Sequence, residues 1–148
     1  MANSVSLNKR IIQDAGGCLR LGYLRVRDRQ SEPREVLSAS EEVRILYGIK
    51  VGEKAREQFP GGQLIQAKTF AKAITETKVT LQAGAKFVFE AAFAASGIGI
   101  KVDVFCRNDD GTIDLIEVKS GTKPEEYYED VAVQVWVLRR LGIPMLLL

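Results

Sequence analysis

Residues 86 to 119, KFVFEAAFAASGIGIKVDVFCRNDDGTIDLIEVK, contain three short runs rich in Val, Ile and Phe, separated by SGIG and NDDG. Runs of this length with such breaks read as three strands joined by tight turns, so the chain must build around an antiparallel sheet. The second turn sets a register. If Asp109, Asp110 and Gly111 make the common three-residue hairpin, a type I turn closed by glycine in the left-handed region, Asn108 faces Thr112. Facing positions then add to 220. Asp103 stands opposite Glu117, with about 4.5 to 5.5 Å between β-carbons. Two carboxylates that close repel each other unless one is protonated or a cation lies between them, and hard divalent ions take oxygen ligands of this kind. Lys119 shares their face because strand side chains alternate.

The same counting applies to the first turn. With Ser96 to Gly99 as a four-residue loop, Ala95 faces Ile100, Asp103 faces Ala92, and Glu90 lies diagonally near Asp103. Ala92 and Ala94 would leave room there for a ligand. Phe87, Phe89 and Phe93 go to the opposite, core face with Val102, Val104, Ile116 and Val118. A one-residue change in either turn reverses the parity.

Around this sheet the chain reads as helical. Two short helices are expected over residues 6–14 and 17–27, divided by Gly16-Gly17 and followed by the polar link RDRQSEP. Ser38 with Glu41 three residues on is a capping-box signature for a helix running to about Phe59, where FPGG stops it. Residues 66–83 continue the pattern up to Gly84. A long helix is expected from about Pro124 to Leu141, and MLLL reads as a final strand. There is no internal repeat, and the expected organisation is a single domain over 1–148, helical to about residue 84 and sheet-bearing from about 85.

Composition removes whole classes of chemistry. A chain of 148 residues, 46% hydrophobic and 27% charged, suits one globular domain with its own core. No run of about 20 apolar residues could span a bilayer and no signal-peptide core begins the chain, so a cytoplasmic protein with no membrane partner is expected. Histidine is absent, which excludes imidazole bases, Ser/His and Cys/His pairs and His-rich zinc sites. Cys18 and Cys106 match no metal-ligand spacing and are expected as reduced, packed thiols. Residues 1–34 carry seven basic and three acidic groups, while the remainder carries 14 basic and 16 acidic. A basic arm beside an acidic site suits a phosphate-bearing polymer; a solvated arginine-rich helical face accounts for the same charges.

VDVFCRNDDGTIDLIEVKSG, with Asp103 followed after a hairpin by Glu117-Val118-Lys119, resembles the core motif of the PD-(D/E)XK nuclease superfamily. GIKVGEKAREQFPGG, FVFEAAF and DVAVQVWVLRRLG resemble its RecB-like branch, which is related to CRISPR-associated RecB-like nucleases and to a bacterial domain family of unknown function. The likeness runs from about Leu7 to Pro144. It implies an α/β, restriction-endonuclease-like fold, with a mixed central β-sheet flanked by α-helices. It further implies that Asp103 and Glu117, with the Val118 carbonyl, bind Mg²⁺ or Mn²⁺, and that Lys119 orients the attacking water or offsets charge on the phosphate. Glu90 would supply another carboxylate, and Gln134 matches the glutamine that follows in RecB-like domains. Helical spacing puts Gln134 on one face with Tyr127, Val131, Leu138 and Leu141, so it can turn toward the sheet. The expected activity is hydrolysis of phosphodiester bonds in nucleic acid, with DNA as the expected polymer.

Several features depart from the resemblance. The histidine near the first motif of many relatives is missing, with Glu90 as its only candidate replacement. The usual Q-x-x-x-Y ends here in Leu138. Cys18 stands without a C-terminal set of cysteines, so no iron–sulfur cluster is expected. Because the chain ends at MLLL, it reads as either a stand-alone minimal domain or a truncated one, and a homodimer through the C-terminal strand is one expectation. The rivals to a nuclease are a catalytically weakened nucleic-acid-binding or assembly module of the same fold, and a structural partner of a larger nuclease docked through MLLL.

Overall fold

A computed structural model describes residues 7–28 and 38–145. A short strand β1 (Leu7–Asn8) leads into helices α1 (Lys9–Gly17) and α2 (Leu19–Arg27), then α3 (Ala39–Arg56), strand β2 (Gln63–Leu64) and α4 (Phe70–Gln82). Strands β3 (Phe87–Ala95), β4 (Ile98–Arg107) and β5 (Ile113–Ile116) follow, then a 3₁₀ turn (Pro124–Tyr127) and α5 (Tyr128–Arg140). The architecture is α/β, a mixed open sheet flanked by helices. No described helix is long and apolar enough to cross a membrane.

Local chemistry sets the helix starts. Asn8 and Thr69 cap α1 and α4 by accepting from the backbone N–H of Ile11 and Lys72. At α3 the expected box is present, the Ser38 hydroxyl accepting from Glu41 N and the Glu41 carboxylate from Ser38 N. Asn8 is also the last residue of β1, so its cap ties the start of α1 to the sheet. The two helices divide at Cys18, whose extended backbone ends one and begins the other. Cys18 is exposed at this joint and only Cys106 is packed as expected; both are free thiols.

β4 is the hub of the sheet. One edge pairs antiparallel with β3, which in turn pairs parallel with β2. The other edge is shared: β1 runs parallel to its start at Ile98–Gly99, and β5 antiparallel to its end from Val104 to Arg107. The β4–β5 register is the expected one, with Val104 across from Ile116 and Arg107 across from Ile113. Its turn is closed by Gly111 at φ 85°, and Asn108 donates to the Thr112 carbonyl at 2.9 Å. Ile113 N–H takes the Pro144 carbonyl at 2.9 Å and Met145 bridges to Ile113 in parallel, so the chain's own β5 receives the start of MLLL; residues 146–148 lie outside the described residues.

The first hairpin corrects the expected four-residue loop. Ser96 (φ 51°) and Gly97 (φ 78°) form a two-residue turn, so Ala95 faces Ile98. Two central residues with positive φ match the twist of the flanking strands, whereas a longer loop would leave Ile98 and Gly99 unpaired. The shift is by two residues, so parity survives, and the register brings Glu90, rather than Ala92, level with Asp103.

The expected facial division is not kept: on one side of that level Phe87 and Phe89 stay on one face as expected, but the main core lies on the other face, the one expected to carry the acids. Val88, Phe105 and Leu115 belong to the main core with α4 and α5, while Phe87 and Phe89 pack against Phe59, with ring centroids 5.3 and 6.4 Å away. Beyond Glu90, whose backbone has φ 56°, the pattern changes phase. Phe93 and Val102 join the main core, and Phe93 meets Phe105 at 5.3 Å, a contact that unbroken alternation forbids. Ala92 is likewise buried beneath α4, its N–H donating to Thr77 Oγ1 at 2.9 Å, and the room expected beside Ala92 and Ala94 is a pocket of ≈ 360 Å³ against α4 that Asp103 does not line. Each large core side chain contributes about 1.5–3 kcal/mol by leaving water, enough to outweigh one strained dihedral.

Candidate active site

β5 ends at Ile116, three residues short of the expected strand, and Glu117 to Lys119 peel away from β4. The gap they leave lies between β1 and β5 on the β4 edge, and Asp103 occupies it. Asp103 Oδ2 accepts from Val118 N–H at 2.8 Å, so a side chain replaces a ladder partner where pairing stops. Asp103, Val118 and Glu117 are thereby fastened in one place by a single main-chain bond.

The two acids sit in different electrostatic surroundings. Burial pushes the Asp103 carboxyl above its usual range against the lowering effect of the Val118 bond, and the charges of Glu117 and Glu90 add to the rise. Glu117 is also penalised by burial, but hydrogen bonds from Gln134, Lys119 and Lys9 outweigh it and hold its carboxyl below the usual range. Lys119 is drawn down by burial and held up more strongly by Glu117 and Asp130. One acid is compensated only in part, by the Val118 N–H and the charge of Lys119; the other is saturated with counter-charges.

That saturation is a closed ring. Lys9 Nζ lies 2.8 Å from Glu117 Oε1 and 3.0 Å from Asp130 Oδ2, and Lys119 Nζ lies 2.8 Å and 3.3 Å from the same two oxygens. Both carboxylates have side chains only 6% exposed. Two cations and two anions alternate, so the ring is neutral, which lets buried carboxylates stay ionised. Gln13 Nε2 donates to Asp130 Oδ1. Gln134, fully buried on α5, donates from Nε2 to Glu117 Oε2 at 2.7 Å, and its Oε1 finds no donor among the described residues.

Of the residues expected at the site, Glu117, Lys119 and Gln134 come together, Gln134 turning toward the sheet as its helical spacing allows, whereas the Asp103 side chain meets the Val118 N–H and opens with Glu90 on the other side, so the expected sharing of one face by Asp103, Glu117 and Lys119 is not formed. Glu90 lies level with Asp103 and 3.7 Å from Lys101 on a more exposed surface. Among the described residues no three Asp, Glu, Cys or His side chains converge in metal-holding geometry. Lys9, Gln13 and Asp130 were not expected here: Asp130 sits four residues before Gln134 on the same helical face, a spacing that could have flagged it, whereas nothing local marks Lys9. Tyr127 is half-buried with Lys119 Nζ 5.2 Å from its ring centroid, and Tyr128 is 66% exposed. In the basic N-terminal region, Arg25 and Arg27 are engaged by Asp14 and Asp28.

The acids open on two sides of Val118. Glu117 and Lys119 face the α1 and α5 side, beside Tyr127. Asp103, Glu90 and Val118 line a cleft of ≈ 350 Å³ whose far wall is α3. No family model, no curated protein and no solved structure matches this chain.

Proposed function

We propose that the protein is a metal-dependent nuclease that hydrolyses phosphodiester bonds in DNA in the cytoplasm. The observation that carries this reading is Asp103 bonded to the main chain between Glu117 and Lys119, at the point where β5 leaves β4. The likeness of this hairpin to the PD-(D/E)XK motif supports the same reading. The donor chemistry suits a hard divalent cation: Asp103 is a partly buried carboxyl whose ionised form is under-compensated by Val118 N–H and Lys119, and the charges of Glu117 and Glu90 add to that deficit. Asp103 and Glu117, with the Val118 carbonyl, would hold Mg²⁺ or Mn²⁺ once Glu117 turned from its ring toward the Asp103 side, and Glu90, which lines the same cleft as Asp103, stands level as a further oxygen donor.

A bound divalent ion would supply Lewis-acid polarisation of the phosphate and a water acidified enough to attack near neutral pH. Lys119 keeps its proton and offsets charge growing on the phosphate oxygens. Gln134 holds one Glu117 oxygen, limiting the rotation of that carboxylate. Hydrolysis proceeds by direct attack of water, with no covalent enzyme intermediate.

One observation favours a second reading. Both Glu117 oxygens are already engaged, by Lys9, Lys119 and Gln134, and a neutral ring needs no metal. A binding or assembly module of the same fold would keep that ring for stability alone. Calorimetric titration of Mn²⁺ into wild type and Asp103→Ala, followed by incubation of each with single-stranded and duplex DNA, separates the two. Metal binding and cleavage, both lost in Asp103→Ala, support the nuclease. An intact fold that takes up no Mn²⁺ and leaves DNA whole supports the module.

A further inference from the structure

The cleft opposite Asp103 has an uneven wall. The residues that α3 turns toward it include Gly48, Ile49, Gly52 and Arg56. Glycine inside a helix is destabilising relative to alanine, and two of them one turn apart in an 18-residue helix need a reason. Close packing does not provide one. A β-carbon at Gly48 would meet nothing within 4 Å, and one at Gly52 would touch only the Arg56 guanidinium, at 3.7 Å. The glycines keep the wall bare and the cleft open.

Among the described residues Arg56 is the one basic side chain lining the cleft, and it shares that lining with Asp103 and Glu90. Its neighbour in the last turn of α3, Lys54, pairs with Glu57 at 2.5 Å, but among the described residues no carboxylate lies within ion-pair distance of Arg56. A half-buried guanidinium whose fork is engaged by none of the described residues, across a cavity from Asp103 and Glu90, suits an oxyanion that brings its own charge to the cleft. Guanidinium binds phosphate through paired N–H groups, and the floor acids are the groups proposed to bind the metal.

We infer that the cleft between α3 and the sheet is the binding channel for a nucleic-acid strand, with Arg56 the residue that grips a backbone phosphate and Gly48 and Gly52 the opening through which the strand passes over Asp103. The inference rests on the nuclease reading for its substrate, and it names the route and the phosphate ligand. α3 has no buried residue, so side chains on its cleft face can be changed without disturbing the core.

The test is binding of a fluorescein-labelled DNA oligonucleotide to the full chain, by anisotropy, across a KCl series without divalent ions. Cleavage with Mn²⁺ is measured in parallel. Arg56→Ala should weaken binding about tenfold and reduce the salt slope by about one, with Arg56→Lys recovering part of the loss. Gly48→Leu should close the channel and abolish binding while the melting temperature holds or rises, because leucine is the better helix former. If wild type cleaves but Arg56→Ala and Gly48→Leu bind and cleave as it does, the channel assignment is wrong and the nuclease reading stands. If wild type binds through Arg56 without cleaving, the channel stands and the hydrolase reading falls. Failure of wild type to bind the oligonucleotide overturns the channel.

Discussion

Gln134 Nε2 donates to Glu117 Oε2 over 2.7 Å, joining a wholly buried amide on α5 to the acid that ends the β5 hairpin. This bond crosses from helix to sheet and limits where the Glu117 carboxylate can point. Gln134→Ala removes a bond to a charged group and leaves a cavity, and it should cost about 2–4 kcal/mol in urea unfolding. Gln134→Leu refills most of the volume and should cost clearly less. On the nuclease reading both variants lose activity alike, because neither restrains Glu117, and comparing unfolding midpoints with cleavage rates separates packing from positioning.

Lys9 should matter for stability despite lying near the chain start. Lys9→Met leaves Glu117 and Asp130 sharing Lys119 alone, and about 1–3 kcal/mol should be lost at neutral pH. Adding Asp130→Asn restores the balance of charge. The double variant should therefore be less destabilised than the two single effects predict, and a double-mutant cycle by chemical denaturation measures the difference. Strict additivity would mean that the ring is not a coupled unit.

The two acids should give opposite responses to pH. Glu117 has a folded pKa below its unfolded value, so its contribution is present above about pH 4.3 and is lost as pH falls through the folded pKa. Asp103 has a raised folded pKa, so stability declines as pH climbs from about 3.9 through that value, and the penalty persists above it. Thermal melts across this range should show Asp103→Asn more stable than wild type at neutral pH. Glu117→Gln should be less stable there and show a flatter acid limb.

Glu90 adopts φ 56°, a left-handed conformation that costs a non-glycine residue roughly 1–2 kcal/mol. Glu90→Gly should recover about 1 kcal/mol, since its contact with Lys101 is exposed and contributes little. On the nuclease reading the same variant loses an oxygen donor, so a more stable protein with weaker Mn²⁺ binding is expected. A calorimetric Mn²⁺ titration beside a melt checks both halves.

What the sequence determined by itself was local. The Asp109-Asp110-Gly111 turn dictates the β4–β5 register because its dihedral preferences act over a few bonds, and that register holds as far as Val104 and Ile116; the pairing of Asp103 with Glu117 that it extrapolates to is not formed, because the chain leaves β4 after Ile116. The capping box at Ser38 and the face of α5 that carries Gln134 are legible for the same reason. The first hairpin is less so: SGIG permits both a two- and a four-residue loop, and the gain from pairing Ile98 and Gly99 decides between them. Tertiary structure alone decided the rest. Lys9 reaches Glu117 from 108 residues away, and no periodicity encodes a contact made only after α1 has packed beside α5. The phase change at Glu90 and Asp103 likewise follows from burying Phe93 and Val102 under α4 and α5, a gain from desolvation large enough to override the alternation that a strand prefers when left to itself.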